Sequence, residues 1–134
     1  MANLLEIEGI GEVYRKKLKE TGISTTDKLL EQGATPKGRK EIAAKADISP
    51  KLVLEWVNHA DLFRINGVAE EYADLLEEAG VDTVVELAQR NPNNLHARMG
   101  EVNAAKKLVR QLPALSQVEA WIAQAKKLPR VIKY

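Results

Sequence analysis

Apolar residues along this chain recur every three or four positions, the period of a helix face, and alternation at every second position is absent. Ala and Leu dominate over Val, Ile, Thr and the aromatics, and Gly and Pro punctuate the chain at intervals of one short helix. The pattern predicts an all-α protein. A first helix is expected from Glu12 to Glu20, stopped by Gly22, with Tyr14 and Leu18 one turn apart on its inner face. A second starts near Ser24 or Thr25 and ends before Gly33, because a hydroxyl followed by Asp27 and then Leu29 and Leu30 is an N-cap signal. Thr35-Pro36 opens a third that runs to about Ala46, and Ser49-Pro50 opens a fourth. Proline suits both places, since the first helical position needs no amide partner. Leu52, Val53, Trp56, Val57 and Ala60 form one stripe on the fourth helix, which is therefore packed.

The second half replays the first. Ile65, Gly67, Tyr72, Leu76, Gly80, Thr83 and Leu87 repeat Ile7, Gly9, Tyr14, Leu18, Gly22, Thr25 and Leu29 at a constant offset of 58. Pro92, Asn93 and Asn94 are expected to precede a helix that runs to about Leu112, ended by Pro113, and Ser116 with Glu119 reads as a capping box before the stripe of Val118, Trp121, Ile122 and Ala125. Each half thus runs glycine hairpin, two short helices, a longer connecting helix and a tryptophan helix. One compact domain over residues 1–134 is expected, made of repeats 1–60 and 61–134. The helix over 49–63 is expected to serve the second hairpin as its preceding helix, which leaves the first hairpin with only Leu4 and Leu5 before it.

Ile7-Glu8-Gly9-Ile10-Gly11, followed by Tyr14, Leu18 and Gly22-Ile23-x-Thr25, resembles the helix-hairpin-helix superfamily. The tandem arrangement resembles one branch of it, a bacterial domain family of unknown function, over nearly the whole chain. The resemblance implies a fold of two hairpin repeats and, from the wider superfamily, contact with a nucleic-acid backbone without base reading. It also implies that a hairpin can hold a monovalent cation on backbone carbonyls, though nothing in the residues requires one.

The physics beside the resemblance is simple. Glycines permit left-handed or crowded backbone, and the helix that follows offers unpaired amides at its positive end, which together can hold a phosphate oxygen. Gly9 and Gly11 fit that description, with Arg15, Lys16, Lys17 and Lys19 on the helix behind them. Lys37, Arg39 and Lys40 are candidate neighbours on the third helix. The structural alternative is a tight turn between apolar anchors Ile7 and Ile10 beside a solvated basic face. Glu12 follows Gly11 at once, where an acid suits a helix N-terminus but opposes a phosphate aimed at the same amides. In the second copy Ala69 replaces the second glycine, and Glu70, Glu71, Asp74, Glu77 and Glu78 fill the helix, which is unfit for a polyanion.

Composition narrows the field further. The 134 residues carry 20 Lys and Arg against 19 Asp and Glu, a formal charge of +1, so the balance alone points to no partner. The distribution is uneven: residues 61–90 hold eight acids against Arg64 and Arg90, and residues 100–134 hold seven bases against two acids. With no Cys, disulfides, thiolate metal sites and thiol nucleophiles are excluded. His59 and His96 lack partners at metal-ligand spacing and read as exposed or helix-edge residues. Adjacent carboxylates such as Glu70-Glu71 point to different sides of a helix, Ser24, Thr25 and Thr83 read as caps, and no phosphate-loop, dinucleotide or hydrolase motif occurs. Catalysis, a cofactor, a resident metal and a small-molecule substrate are not expected. Trp56 and Trp121 sit within apolar stripes, which favours core packing over base stacking. No apolar run approaches the roughly 20 residues that span a bilayer, no leader-like segment opens the sequence, and a cytoplasmic protein without membrane contact is expected.

Two functions from different classes remain. One is a non-enzymatic module that touches a DNA or RNA backbone through Gly9, Gly11, Arg15, Lys16 and Lys19. The other is a protein-interaction or scaffold module whose acidic and basic surfaces meet complementary partners, including copies of itself. Leu128, Val131, Ile132 and Tyr134 are too apolar for a frayed segment, and they are expected to pack with Leu4, Leu5 and Ile7 within one chain, the alternative being exchange between chains.

Overall fold

The computed structural model describes residues 3–7 and 9–134; Glu8, inside the hairpin motif, lies outside the described residues, as do Met1 and Ala2. The chain is all-α, with no strand among the described residues. It divides into two compact units, one of residues up to Asp61 together with Arg130–Tyr134, the other Leu62–Pro129.

Unit 1 opens with a 3-10 turn, Leu4–Glu6, closed at its start by Asn3, whose side chain accepts the Leu5 amide at 2.9 Å. Helices α1 (Glu12–Glu20), α2 (Thr26–Gln32), α3 (Pro36–Ala46) and α4 (Pro50–Leu62) follow. The hydroxyls of Thr25 and Thr35 accept the amides of Lys28 and Gly38 at 3.2 and 3.1 Å, the N-caps that the sequence calls for. Leu18, Ile23, Leu29, Val53 and Val57 are fully buried.

Unit 2 follows the same order with α5 (Glu70–Glu78), α6 (Val84–Ala88), α7 (Pro92–Lys106) and α8 (Leu115–Lys127). Its core gathers Ile65, Leu75, Leu76, Val84, Leu87, Leu95, Met99 and Trp121. Two boundaries differ from expectation. Helix α7 stops at Lys106 and does not reach Leu112, because Lys107 turns left-handed at φ 52° and the Asn103 amide side chain takes over the role of backbone. Its Oδ1 accepts the Val109 N–H at 2.9 Å and its Nδ2 donates to the Val109 carbonyl at 3.2 Å, which pins the chain leaving the helix. Helix α8 begins at Leu115, so Ser116 lies in the first turn and caps nothing. Its entry is held by Gln117, whose Oε1 accepts the Ala114 N–H at 2.8 Å as soon as the chain has passed Pro113.

The tryptophans are core residues, each 2 % exposed. Trp56 on α4 packs on Tyr14 with ring centroids 5.0 Å apart, and Trp121 on α8 packs on Tyr72 at 5.2 Å. The first hairpin therefore has its tryptophan helix after it in sequence, and the expectation that residues 49–63 serve the second hairpin is corrected. Residues 130–134, expected in the second repeat, are part of unit 1, where the Lys133 N–H donates to the Ala34 carbonyl at 2.7 Å. The bond joins the segment to the turn that precedes α3, whereas the sequence leads one to expect packing with Leu4, Leu5 and Ile7. No helix of the described residues is long and apolar enough to cross a membrane.

Burial of this kind has a measurable consequence. Trp56→Ala and Trp121→Ala should each cost about 3 to 5 kcal/mol of stability, read as a lowered denaturation midpoint. A midpoint unchanged in either variant would show that the indole contributes little to its core.

Candidate functional site

The first hairpin is a short turn between two buried anchors, Ile7 and Ile10, closed by the Ile10 N–H donating to the Ile7 carbonyl at 3.1 Å. Gly9, exposed between them, has φ +92°, and a Cβ there would stand 3.4 Å from the Trp56 indole nitrogen. Its counterpart Gly67 has φ +93°, with the Trp121 indole nitrogen 3.0 Å from such a Cβ. Both positions favour glycine for the left-handed backbone, and at Gly67 the ring adds a tight contact, whereas at Gly9 the ring would meet a Cβ only at ordinary van der Waals distance. Gly11 is different. It is the N-cap of α1 in extended conformation (φ −94°, ψ −171°), nothing lies within 4 Å of a Cβ built on it, and Ala69 holds the matching place before α5 at φ −114°, ψ −168°. The missing second glycine therefore leaves the geometry of the second hairpin unchanged, and the two differ in charge.

Behind the first hairpin the Arg15 N–H already donates to the Gly11 carbonyl at 2.9 Å, while the amides of Glu12, Val13 and Tyr14 belong to the first turn, which has no partner inside the helix. Lys16 and Lys19 are exposed and make no ion pair among the described residues; with Glu12, Arg15 and Glu20 they line one shallow depression on α1. Arg15 is engaged, its Nε and Nη2 donating to Glu12 Oε2 at 3.2 and 2.9 Å. Lys17 is held elsewhere, its ammonium 5.8 Å from the Tyr14 ring centre and 3.4 Å from the Asp47 carbonyl.

The candidates on α3 fare differently. Lys37 and Lys40 are exposed, and Lys40 lines a separate groove with Pro36, Arg39, Pro50, Lys51 and Leu54 that shares no residue with the depression on α1. Arg39 borders that groove, but its side chain is largely buried and its guanidinium nitrogens are committed within its own unit. Its Nη1 donates to the Gly33 carbonyl at 2.9 Å and its Nη2 to the Lys133 carbonyl at 2.8 Å, with the Tyr134 ring centre 5.9 Å away. Burial pulls its pKa below the ordinary value, with Tyr134 acting in the opposite sense. The structure thus gathers Gly9, Gly11, Arg15, Lys16 and Lys19 on one turn and one helix.

Two further placements bear on the site. His59 is buried, not exposed, and His96 lies against the Pro113 carbonyl at 2.9 Å. Val13, in the first turn of α1, is 69 % exposed, a residue that the Tyr14–Leu18 stripe leaves outside the core without saying what it would meet. In unit 2 the acidic α5 has a basic neighbour in its own unit, as Lys106 on α7 is paired with Glu78.

The two glycines can be told apart by substitution. Gly9→Ala should cost about 1 kcal/mol or more through the left-handed backbone alone, whereas Gly11→Ala should stay within about 0.5 kcal/mol of the parent. Equal effects in urea denaturation would contradict the assignment.

No solved structure matches this chain. The family model described as Domain of unknown function (DUF4332) matches residues 8–128, from the first hairpin to the end of the Trp121 helix. The chain belongs to that family.

Proposed function

We propose that the protein is a non-enzymatic module that holds the phosphate backbone of DNA or RNA at the first hairpin, weakly and without reading bases. In this reading the two units are helix-hairpin-helix-like repeats of which only the first is competent. The observation that carries it is the turn in which Gly9 and Gly11 are exposed, leading into the first-turn amides of α1, with Lys16 and Lys19 one turn apart and unpaired among the described residues. A phosphate oxygen seated on the amides accepts their N–H groups, and the two ammonium groups neutralise charge on the flanking phosphates. The second hairpin supplies a natural contrast, since the same backbone leads into Glu70 and Glu71. The scaffold alternative draws less support, because Lys106 and Glu78 already meet inside one unit and leave that complementarity partly satisfied.

With Arg15 paired and Arg39 buried, about two phosphates are neutralised, so the logarithm of affinity should fall with the logarithm of salt at a slope of about −2, with a dissociation constant no tighter than about micromolar at physiological salt. Anisotropy titrations against single-stranded, duplex and structured nucleic acid should show this with no dependence on sequence. Lys16→Glu with Lys19→Glu should abolish binding. Absence of binding by the unmodified chain even at low salt would end the proposal.

Glu12→Gln should release Arg15 to a third phosphate and steepen the slope by about 0.9. Glu70→Lys with Glu71→Lys, placed in the Lys16→Glu, Lys19→Glu background, should restore binding through the second hairpin. If it does not, charge is not what separates the two hairpins.

A further inference from the structure

Arg130–Tyr134 is counted with unit 1, although the whole of Leu62–Pro129 separates it in sequence from the rest of that unit. The segment has no helix or strand of its own and is held as a bound peptide would be. Both polar backbone groups of Lys133 are used: its N–H donates to the Ala34 carbonyl at 2.7 Å and its carbonyl accepts Arg39 Nη2 at 2.8 Å. Arg39 is itself fixed by the Gly33 carbonyl, so a buried guanidinium ties the segment to the turn before α3. Ile132 is buried to 3 % exposure, and the Tyr134 hydroxyl reaches Asn58 Oδ1 at 3.4 Å. Main-chain hydrogen bonds for affinity and one apolar anchor for register are the ordinary means of recognising an extended peptide.

We propose that this seat on unit 1 is a peptide-binding site whose occupant is interchangeable between residues 130–134 of the same chain and those of a second copy, giving a reciprocally exchanged dimer. None of the contacts depends on which chain supplies the segment. Each copy brings one segment and one seat, so exchange in both directions preserves every hydrogen bond at the seat and closes a two-fold assembly. The segment joins unit 2 through Pro129, which is exposed and preceded by extended backbone at Leu128, so the connection carries no helix that exchange would have to break. The second copy is favoured over an unrelated partner because the seat already fits this sequence. The intramolecular form prevails in dilute solution, since a tethered segment has an effective concentration on the order of millimolar.

The test has two arms. A fluorescent peptide of residues 129–134 is titrated into the full-length Ile132→Asp chain, whose own anchor is lost. Saturable binding is expected, at least tenfold weaker in the unmodified chain, whose seat is filled, and lost when Arg39→Gln is added. Should Ile132→Asp fail to fold by circular dichroism, Lys133→Pro, which removes the amide that donates to Ala34 and restricts the backbone beside it, takes its place. No binding to a folded variant, or equal binding by the unmodified chain, overturns the seat. In the second arm the unmodified chain is refolded at about millimolar and at micromolar concentration and sized by light scattering. A dimer from the concentrated sample, absent for Lys133→Pro, is expected; a monomer from both overturns the exchange.

Discussion

Much of this structure hangs on an indole ring lying under a glycine. In unit 1 the Trp56 ring occupies the ground beneath Gly9, and in unit 2 Trp121 does the same beneath Gly67, each glycine held left-handed near φ +90°. A side chain at either position meets backbone strain, and at Gly67 it also crowds the ring. The tyrosine one turn into the next helix leans on the same ring, so hairpin, following helix and tryptophan helix are fixed by one aromatic contact. The direction in which the first amides of α1 and α5 point is a consequence of that packing. The ring thus adds to the buried anchors Ile7 and Ile10 and to the Ile10 N–H bond that closes the four-residue turn.

On this common frame, side-chain charge sets the two units apart. Gly11 and Ala69 share one conformation, so what distinguishes the hairpins is the helix behind them, lysine-bearing in one and glutamate-bearing in the other. Within the first helix the cations are not equivalent. Arg15 is held by Glu12 and Lys17 by Tyr14 and Asp47, which leaves Lys16 and Lys19. An exposed ion pair such as Arg15–Glu12 is worth at most about 1 kcal/mol, little enough for a phosphate to compete with. Arg39 illustrates the opposite fate of a basic residue, buried and committed to the backbone of its own unit.

Local signals in the sequence foretold local structure well. Thr25, Thr35 and Thr83 cap the helices they precede, Pro36 and Pro50 open theirs, and the 58-residue offset anticipates the matching order of elements in the two units. What escaped depended on partners distant in sequence or on side chains that imitate backbone. The early end of α7 follows from Asn103 bonding Val109 on both sides, an arrangement that no period reveals. The pairing of Trp56 with the hairpin before it spans some forty residues of chain, and spacing alone allows either partner. Arg39 could have been found, for it shares the buried face of α3 with Ile42, Ala43 and Ala46, and a charge on an apolar stripe signals a buried partner. Reading it as one of three basic neighbours hid that stripe.

The support of each hairpin by its own tryptophan is open to direct measurement by amide hydrogen exchange at Ile10 and Val68, whose N–H groups close the two turns on the Ile7 and Ile65 carbonyls. Trp56→Leu should accelerate exchange at Ile10 more than at Val68, and Trp121→Leu should do the reverse. If Trp56→Leu instead opens the turn at Val68, or if neither substitution changes exchange at either amide, the indoles do not hold the hairpins and the account built on them is wrong.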